Sequence, residues 1–325
     1  MSLRMWRKNQ PKIDVKDYQG FFDIAYGKDS SEQELDIFLP TDSTKTKHPV
    51  IISIHGGGFV ACDKRNGEMI QPMLTGLERG YAVVALNYRL APNTKFPKPV
   101  QDIKQAIRFL KANADTYHLD PDLFFVWGGS AGGYMTLMSC VFQDEPLFDN
   151  PDDPNLEQNT NIAGAVAWYP LSDFATCDDE LKINSYINRF TRSEIVDTSD
   201  EYEPALPVLA ENAFPFHEAP NSVTELFLGI SFDKNHPVMQ QASPIHYLQS
   251  GTNLPPLFIQ HGSADEIVPM QQGIRFAIRA KESSESNQVT LEIIPNAIHS
   301  SKLFETKKNI ERVLDFIEQV IQQKE

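Results

Sequence analysis

Short apolar runs punctuated by glycine- and proline-rich connections recur along most of the chain. Val50-Ile51-Ile52-Ser53-Ile54, Tyr81 to Leu86, Phe124 to Trp127, Gly164 to Trp168, Leu257 to His261 and Thr290 to Ile294 are each too short for a helix. Most are rich in β-branched or aromatic residues, as strands covered on both faces are. Between them the apolar positions take helical spacing. Asn66 to Arg79 ends at Gly80, Val100 to Ala114 carries Val100, Ile103, Ala106, Ile107 and Leu110 on one face, and Met270 to Lys281 follows later. Leu303 to Gln323 closes the chain with Ile310, Val313, Leu314, Ile317 and Val320 on its apolar side. Strand and helix in alternation predict an α/β fold: a mostly parallel central sheet flanked by helices. Phe21 to Tyr26 and Glu34 to Leu39, around the turn Gly27-Lys28-Asp29-Ser30, predict an antiparallel edge.

Three stretches break the alternation. Residues 1–20 are polar and basic and read as an N-terminal arm. Residues 143–161 are rich in Asp, Asn and Pro. Asp149-Asn150-Pro151-Asp152-Asp153 lacks both the acid spacing and the turn glycine of a calcium loop, so it reads as a solvated connection. Residues 171–250 hold five prolines between Pro204 and Pro237, several aromatics, and helical pieces such as Asp178 to Arg189. That is too long for a plain loop and predicts a helical cap inserted into one domain spanning 1–325.

Composition narrows the function classes. The chain has 325 residues, 41% of them hydrophobic, enough for a large core. Its net charge of −15 disfavours nucleic acid and anionic membrane surfaces as partners. No apolar run approaches the ~20 residues of a membrane span. Met1 to Ile13 lacks the apolar stretch of a secretory leader. Cys62, Cys140 and Cys177 are an odd, sparse set, which makes a disulfide framework a poor reading and small buried side chains a better one. The expectation is a cytoplasmic protein.

The chemistry concentrates where strands end. Phe124 to Trp127 breaks into Gly128-Gly129-Ser130-Ala131-Gly132-Gly133, and a helix-forming run, Tyr134 to Phe142, follows. A serine on a sharp strand-to-helix turn needs close backbone approach on both sides, which glycine permits. The helix that starts beside it points N–H groups and its positive dipole end at any charge developing there. Val50 to Ile54 runs into His55-Gly56-Gly57-Gly58-Phe59, an H-G-G-G loop of the kind that donates N–H groups to an oxyanion, with His55 bracing the loop. A serine nucleophile needs a base, and the base needs an orienting group. Asp265 and His299 follow two later strands, on the edge where the ends of parallel strands collect. Glu266 is the rival acid, and Asp265 is preferred because Gly262-Ser263-Ala264-Asp265 places it at the loop tip. The other histidines are weaker candidates. His261 lies in or just past its strand, His48 and His118 in polar connections, and His217, His236 and His246 in or beside the insertion.

His55-Gly56-Gly57-Gly58, Tyr88-Arg89-Leu90-Ala91-Pro92, Gly128-Gly129-Ser130-Ala131-Gly132-Gly133 and His261-Gly262-Ser263-Ala264-Asp265-Glu266-Ile267-Val268-Pro269 resemble the hormone-sensitive-lipase-like branch of the α/β-hydrolases. The resemblance spans about residues 35–320 and is weak in the insertion. It implies an α/β-hydrolase fold and hydrolysis of small or short-acyl carboxylic esters, with acetyl- and hydroxycinnamoyl-ester relatives. It implies Ser130 as nucleophile, His299 as base and Asp265 as orienter, with the N–H groups of Gly57, Gly58 and Ala131 as the oxyanion hole. It implies no metal and no organic cofactor. The partner is a small-molecule ester, and the expected assembly is a monomer or homodimer. Many members carry an acid where this chain has Gly129. Phe59 and Tyr169 are candidate substrate-binding residues. Of the cap aromatics Phe214, Phe216, Phe227 and Phe232, most are expected to pack the cap onto the body. Arg89 is expected to pair with a buried acid, Asp102. Two alternatives share the fold: an oligopeptidase-like serine peptidase, and a non-catalytic ligand-binding protein. The chain shows no propeller-sized N-terminal domain, and no triad member is missing.

Overall fold

The computed structural model describes residues 11–41, 46–191 and 216–324. Among these residues, eight strands form one sheet in the order β1-β2-β4-β3-β5-β6-β7-β8. They are β1 Gln19–Ala25, β2 Glu34–Leu39, β3 His48–Ile54, β4 Ala82–Leu86, β5 Leu119–Gly129, β6 Gly164–Trp168, β7 Leu257–Gly262 and β8 Val289–Ile294. β2 pairs antiparallel with both β1 and β4, and every other pairing is parallel. The carboxyl ends of β3 to β8 therefore share one edge. The helices are α1 Gly67–Leu74, α2 Lys98–Ala112, α3 Ala131–Val141, α4 Cys177–Thr191, α5 Val223–Leu228, α6 Pro237–Ala242, α7 Gln271–Ser283 and α8 Lys307–Gln322.

The two-residue period of a strand assigns each side chain to a face. Val50, Ile52 and Ile54 of β3 join the core made with Val100, Ile103 and Ile107 of α2 and with Met135 and Met138 of α3. Ile51 points the other way, to Ile70 and Met73 of α1 and Val313, Leu314 and Ile317 of α8. Residues 131–141 are apolar nearly all round, and all but Val141 are buried. This helix lies in the middle of its layer, against β5 and β6.

Two expected helices prove to be shorter. The 66–79 segment is α-helical only to Leu74 and tightens into a 3-10 turn over Thr75–Arg79, closed by Gly80 at φ 81°. Pro72 lies inside α1 and withholds an N–H from it. The 303–323 segment breaks at Thr306, which is extended and caps α8 by accepting from the Asn309 N–H. A separate 3-10 turn, Lys302–Glu305, precedes it, capped by Ser301. The arm is described from Pro11 onward. Lys12 bridges to Asn66, and the Lys12 ammonium pairs with Asp63. Between β6 and β7 the described residues carry α4, α5 and α6. Residues 192–215 of the expected cap, with Phe214, lie outside the described residues.

Behind the H-G-G-G loop sits a buried ion pair. Asp102, fully buried on α2, accepts from the Arg89 backbone N–H at 2.9 Å, from Arg89 Nη2 at 2.6 Å and Nε at 2.9 Å, and from Gln33 Nε2 at 2.8 Å. Next door, Tyr88 stacks on His55 at 4.5 Å between ring centres, and its hydroxyl donates to the His55 carbonyl at 3.1 Å. The pair therefore anchors the segment that braces the loop. Asp102→Ala leaves a buried guanidinium with only the longer contact of its Nη1 to Asp29, at 3.7 Å. It is expected to lower stability by about 3–5 kcal/mol, read from urea denaturation. A loss below about 1 kcal/mol, the level of an exposed pair, would show that water reaches this site.

Candidate active site

Ser130 sits at the junction of β5 and α3 with φ 58° and ψ −122°, a backbone conformation that a non-glycine residue adopts only under strain. The turn around it is crowded. A Cβ on Gly128 would stand 2.5 Å from the Gly132 carbonyl oxygen, and one on Gly132 would stand 2.1 Å from the Ile54 oxygen at the end of β3. These two glycines are steric requirements. The Ser130 N–H donates to the Trp168 carbonyl at 3.0 Å, and the Ser130 carbonyl accepts from the Tyr134 N–H at 2.9 Å. The serine is thus held at both ends of its main chain.

His299 Nε2 lies 2.9 Å from Ser130 Oγ, and His299 Nδ1 lies 2.8 Å from Asp265 Oδ2. A carboxylate only accepts, so Nδ1 carries the proton and Nε2 faces the hydroxyl as an acceptor. The Asp265 and His299 loops interlock. Ser263 N–H donates to the Ile294 carbonyl and Ala264 N–H to the Ala297 carbonyl, both at 3.0 Å. A Cβ on Gly262 would stand 2.2 Å from the Ala297 oxygen. Asp265 is 3% exposed. Burial pushes its carboxyl pKa up, but the attraction of His299, the hydrogen bond from His299 and the nearby His261 outweigh this and hold it well below the usual carboxylate range.

The loop after β3 stands beside the serine, since a Cβ on Gly56 would be 3.4 Å from Ser130 Cβ. Gly57 and Gly58 have φ of 101° and 58°, which turns successive N–H groups in a way glycine tolerates. Among the described residues, neither these N–H groups nor that of Ala131, the first residue of α3, donates to a protein acceptor. His55 is 3% exposed, and its Nδ1–H donates to the Gly56 carbonyl at 2.8 Å. Burial pulls its pKa down to about 4, outweighing that bond. It is a neutral brace. Cys62, behind Gly57, has its thiol pKa pushed by burial up to about 12, so it carries no thiolate nucleophile near neutral pH.

Phe59 and Tyr169 are both buried, at 4% and 5% exposure. Phe59 stacks on Phe227 at 4.0 Å and meets Tyr134 edge-on at 5.1 Å. Tyr169 packs edge-on against His299 at 4.9 Å and hydrogen-bonds to Ser300. With Ile54, Met69, Gly129 and Ser300 it lines a cavity of about 30 Å³, room for one water. Phe227 of the insertion packs against the body as expected, fully buried. Two histidines ranked below His299 in the sequence also converge here. His261 Nε2 is 3.5 Å from Asp265 Oδ2, and His217, from the insertion, is 2.8 Å from the Ile267 carbonyl. His236 caps α6, and His48 bonds to the Gly80 carbonyl.

A protein-family model described as BD-FAE matches residues 35–279, which include Ser130 and Asp265 and stop short of His299. The probable carboxylic ester hydrolase LipM of Mycobacterium tuberculosis is 27% identical over 281 residues, covering 86% of this chain and 56% of that protein. Esterase LipQ of the same organism is 26% identical over 301 residues, covering 91% and 61%. The chain thus spans between 56% and 61% of the length of these curated relatives. Among solved structures, a truncated carbohydrate esterase from gut microbiota superposes with a TM-score of 0.73 at 21% identity, covering 95% of this chain and 99% of that one. Thermogutta terrifontis esterase 2 gives 0.67 at 20% identity, covering 98% and 96%. At these identities the likeness shows the α/β-hydrolase fold.

His55 yields a pH test. Folded, it takes its proton only near pH 4, whereas an unfolded histidine takes it near 6.5. Between these values the unfolded chain binds more protons. Stability therefore rises with pH across that window and is lost as pH falls from 6.5 toward 4, by about 3 kcal/mol in all. His55→Gln is expected to flatten the slope of unfolding free energy against pH there, measured by urea denaturation at several pH values. An unchanged slope would mean that His55 titrates normally in the fold.

Proposed function

The chain belongs to the BD-FAE family of α/β-hydrolases, and from that premise we propose that it is a serine carboxylesterase working through an acyl-enzyme. The observation that supports this most is the continuous relay Asp265–His299–Ser130, with bonds of 2.8 and 2.9 Å ending on a strained strand-to-helix serine. In this reading His299 takes the Ser130 proton through Nε2 as Oγ attacks the ester carbonyl. Asp265 holds the Nδ1–H tautomer and stabilises the imidazolium that forms, staying ionised itself. The oxyanion accepts N–H bonds from Gly57, Gly58 and Ala131, and each donor is worth ~3 kcal/mol of barrier. His299 then returns the proton to the leaving alcohol. Water repeats the cycle on the acyl-enzyme, again with His299 as base.

The acids proposed are small or short-chained. Helix α5 closes over the oxyanion loop: Val223 would be 3.4 Å from a Cβ on Gly58, and Phe227 covers the ring of Phe59. That leaves an aromatic floor beside the loop, with Phe59 and Tyr169 as the walls that fix the loop and His299. The helices between β6 and β7 act as the cap, and no metal or organic cofactor takes part.

The test is hydrolysis of p-nitrophenyl acetate, butyrate, octanoate and palmitate by the wild type and by Ser130→Ala. Activity is expected to peak at the short chains and to fall by at least about 10⁴-fold in kcat for Ser130→Ala. Equal rates in the two proteins would refute Ser130 as nucleophile, and a peak at palmitate would refute the short-acyl preference.

A further inference from the structure

Asp265 is gripped by a turn that two other histidines hold from outside. Its Oδ1 accepts from the N–H groups of Ile267 at 3.0 Å and Val268 at 2.9 Å, which leaves Oδ2 for His299. The carbonyls of the same two residues are also taken. His217 Nε2 stands 2.8 Å from the Ile267 oxygen, and His261 Nε2 stands 2.8 Å from the Val268 oxygen. A carbonyl only accepts, so both imidazoles are N–H donors at Nε2. The peptide unit between Ile267 and Val268 therefore carries His217 on its carbonyl and Asp265 on its N–H. Two head-to-tail runs of hydrogen bonds meet on the Asp265 carboxylate: the Thr224 hydroxyl donates to His217, His217 to the Ile267 carbonyl and the Val268 N–H to Asp265 on one side, and the Ser130 hydroxyl donates to His299 and His299 to Asp265 on the other. A buried network of this kind fixes the positions of its members.

Both outer histidines are enclosed by the fold. His261 is fully buried, and its Nδ1 has no hydrogen-bond partner among the described residues. Gly273 packs so close that a Cβ there would be 3.0 Å from this Nδ1. His217 is 5% exposed and sits with its Nδ1 3.1 Å from the Thr224 hydroxyl. Thr224 belongs to α5, whose Val223 and Phe227 cover Gly58 and Phe59. The main chain at His217 is anchored in turn, because the N–H groups of His217 and Glu218 donate to the buried Asp178 carboxylate on α4 at 2.9 and 3.0 Å. One short helix thus touches the oxyanion loop through two apolar side chains and the acid turn through a hydroxyl and an imidazole.

We propose that His217 and His261 are positioning residues of the hydrolytic relay, and that His217 transmits the placement of α5 to the Asp265 carboxylate. This rests on the reading of Ser130, His299 and Asp265 as the reacting groups. Losing the His217 donor lets the Ile267–Val268 peptide rotate and Oδ1 drift. His299 then spends less time aligned with Ser130, and the loss falls on turnover, with ester binding unaffected. Misplacement of a reacting group by about 1 Å costs on the order of 10²-fold in rate.

The test uses the full chain and four variants: His217→Ala, His217→Gln, Thr224→Val and His261→Gln. Two readouts are taken, kcat and KM on p-nitrophenyl acetate, and the low-field proton NMR resonance of the His299 Nδ1–H bound to Asp265. His217→Ala is expected to lower kcat by about 10- to 100-fold with KM within about twofold, and to broaden or move the resonance. His217→Gln keeps an N–H at the same reach and is expected to recover most of the loss. Thr224→Val preserves shape while removing the partner of Nδ1, so it gives a smaller fall in the same direction even if His217→Ala fails to fold. His261→Gln is expected to move the resonance as well. A wild-type resonance and kcat in Thr224→Val and in folded His217→Ala overturns the proposal, as does a change confined to KM. A wild type inactive on every ester, or an active Ser130→Ala, overturns the esterase reading instead. The resonance needs no substrate and still decides whether the two histidines position Asp265.

Discussion

Three main chains meet at Ser130 with no room for a side chain between them. The end of β3, the end of β5 and the first turn of α3 touch through the Ile54 carbonyl, Gly128 and Gly132, at separations that a Cβ would bring to 2.1–2.8 Å. This contact forces the serine into its positive-φ turn and sets where everything else goes. The loop that leaves β3 must pass the serine, so in the proposed mechanism Gly57 and Gly58 bring their N–H groups there. β6 must run alongside β5, so the Trp168 carbonyl is present to accept the Ser130 N–H. A strained residue costs about 1–3 kcal/mol and persists only where its surroundings over-determine it. Here a strand ladder, a helix start and two glycine contacts supply that determination.

The second constraint is the burial of Asp265. A carboxylate removed from water is destabilised by several kcal/mol unless its lone pairs are filled. Oδ1 is filled by two backbone N–H groups, and Oδ2 by His299 at 2.8 Å with His261 farther off at 3.5 Å. The two N–H groups come from a turn with no regular ladder to hold it. Its rigidity has to come from the carbonyl side, and two buried imidazoles provide it. A solvent-exposed turn would satisfy its carbonyls with water and would move with it.

Much of this was legible in the sequence because it depends on local rules. The strands announced themselves as short buried runs, and the crowded turns as glycines at fixed offsets. Ser130, Asp265 and His299 stood out because each follows a strand, and the ends of parallel strands share an edge. The pairing of Arg89 with Asp102 could be expected from a motif arginine near an amphipathic helix. What stayed hidden depends on tertiary placement. His261 lies in or just past its strand and reads from the sequence as a weaker candidate than His299. His217 looked like one of several histidines in an irregular insertion, because nothing within a few residues of it shows that its ring will reach Ile267, fifty positions on. The breaks at Leu74 and Thr306 were missed for the opposite reason. Apolar spacing continues through them, while one proline and one cap residue decide the geometry.

Gly129 shows how a departure from the family pattern can be compensated in space. Many relatives of the resembled branch carry an acid there. In this chain a Cβ at that position would stand 2.6 Å from the Tyr169 hydroxyl. The space behind the serine is filled by a tyrosine from the end of β6. Its ring lies edge-on to His299, and its hydroxyl reaches Ser300, the next residue along. An acid at 129 would have to displace that ring and would add a second buried negative charge close to Asp265. The glycine and the tyrosine therefore form one solution. The backbone gives up a side chain, and a neutral aromatic from the neighbouring strand takes over the wall beside the imidazole. This leaves Asp265 as the carboxylate bonded to His299, so the orientation of that ring is set from the acid turn on one side and from Tyr169 on the other.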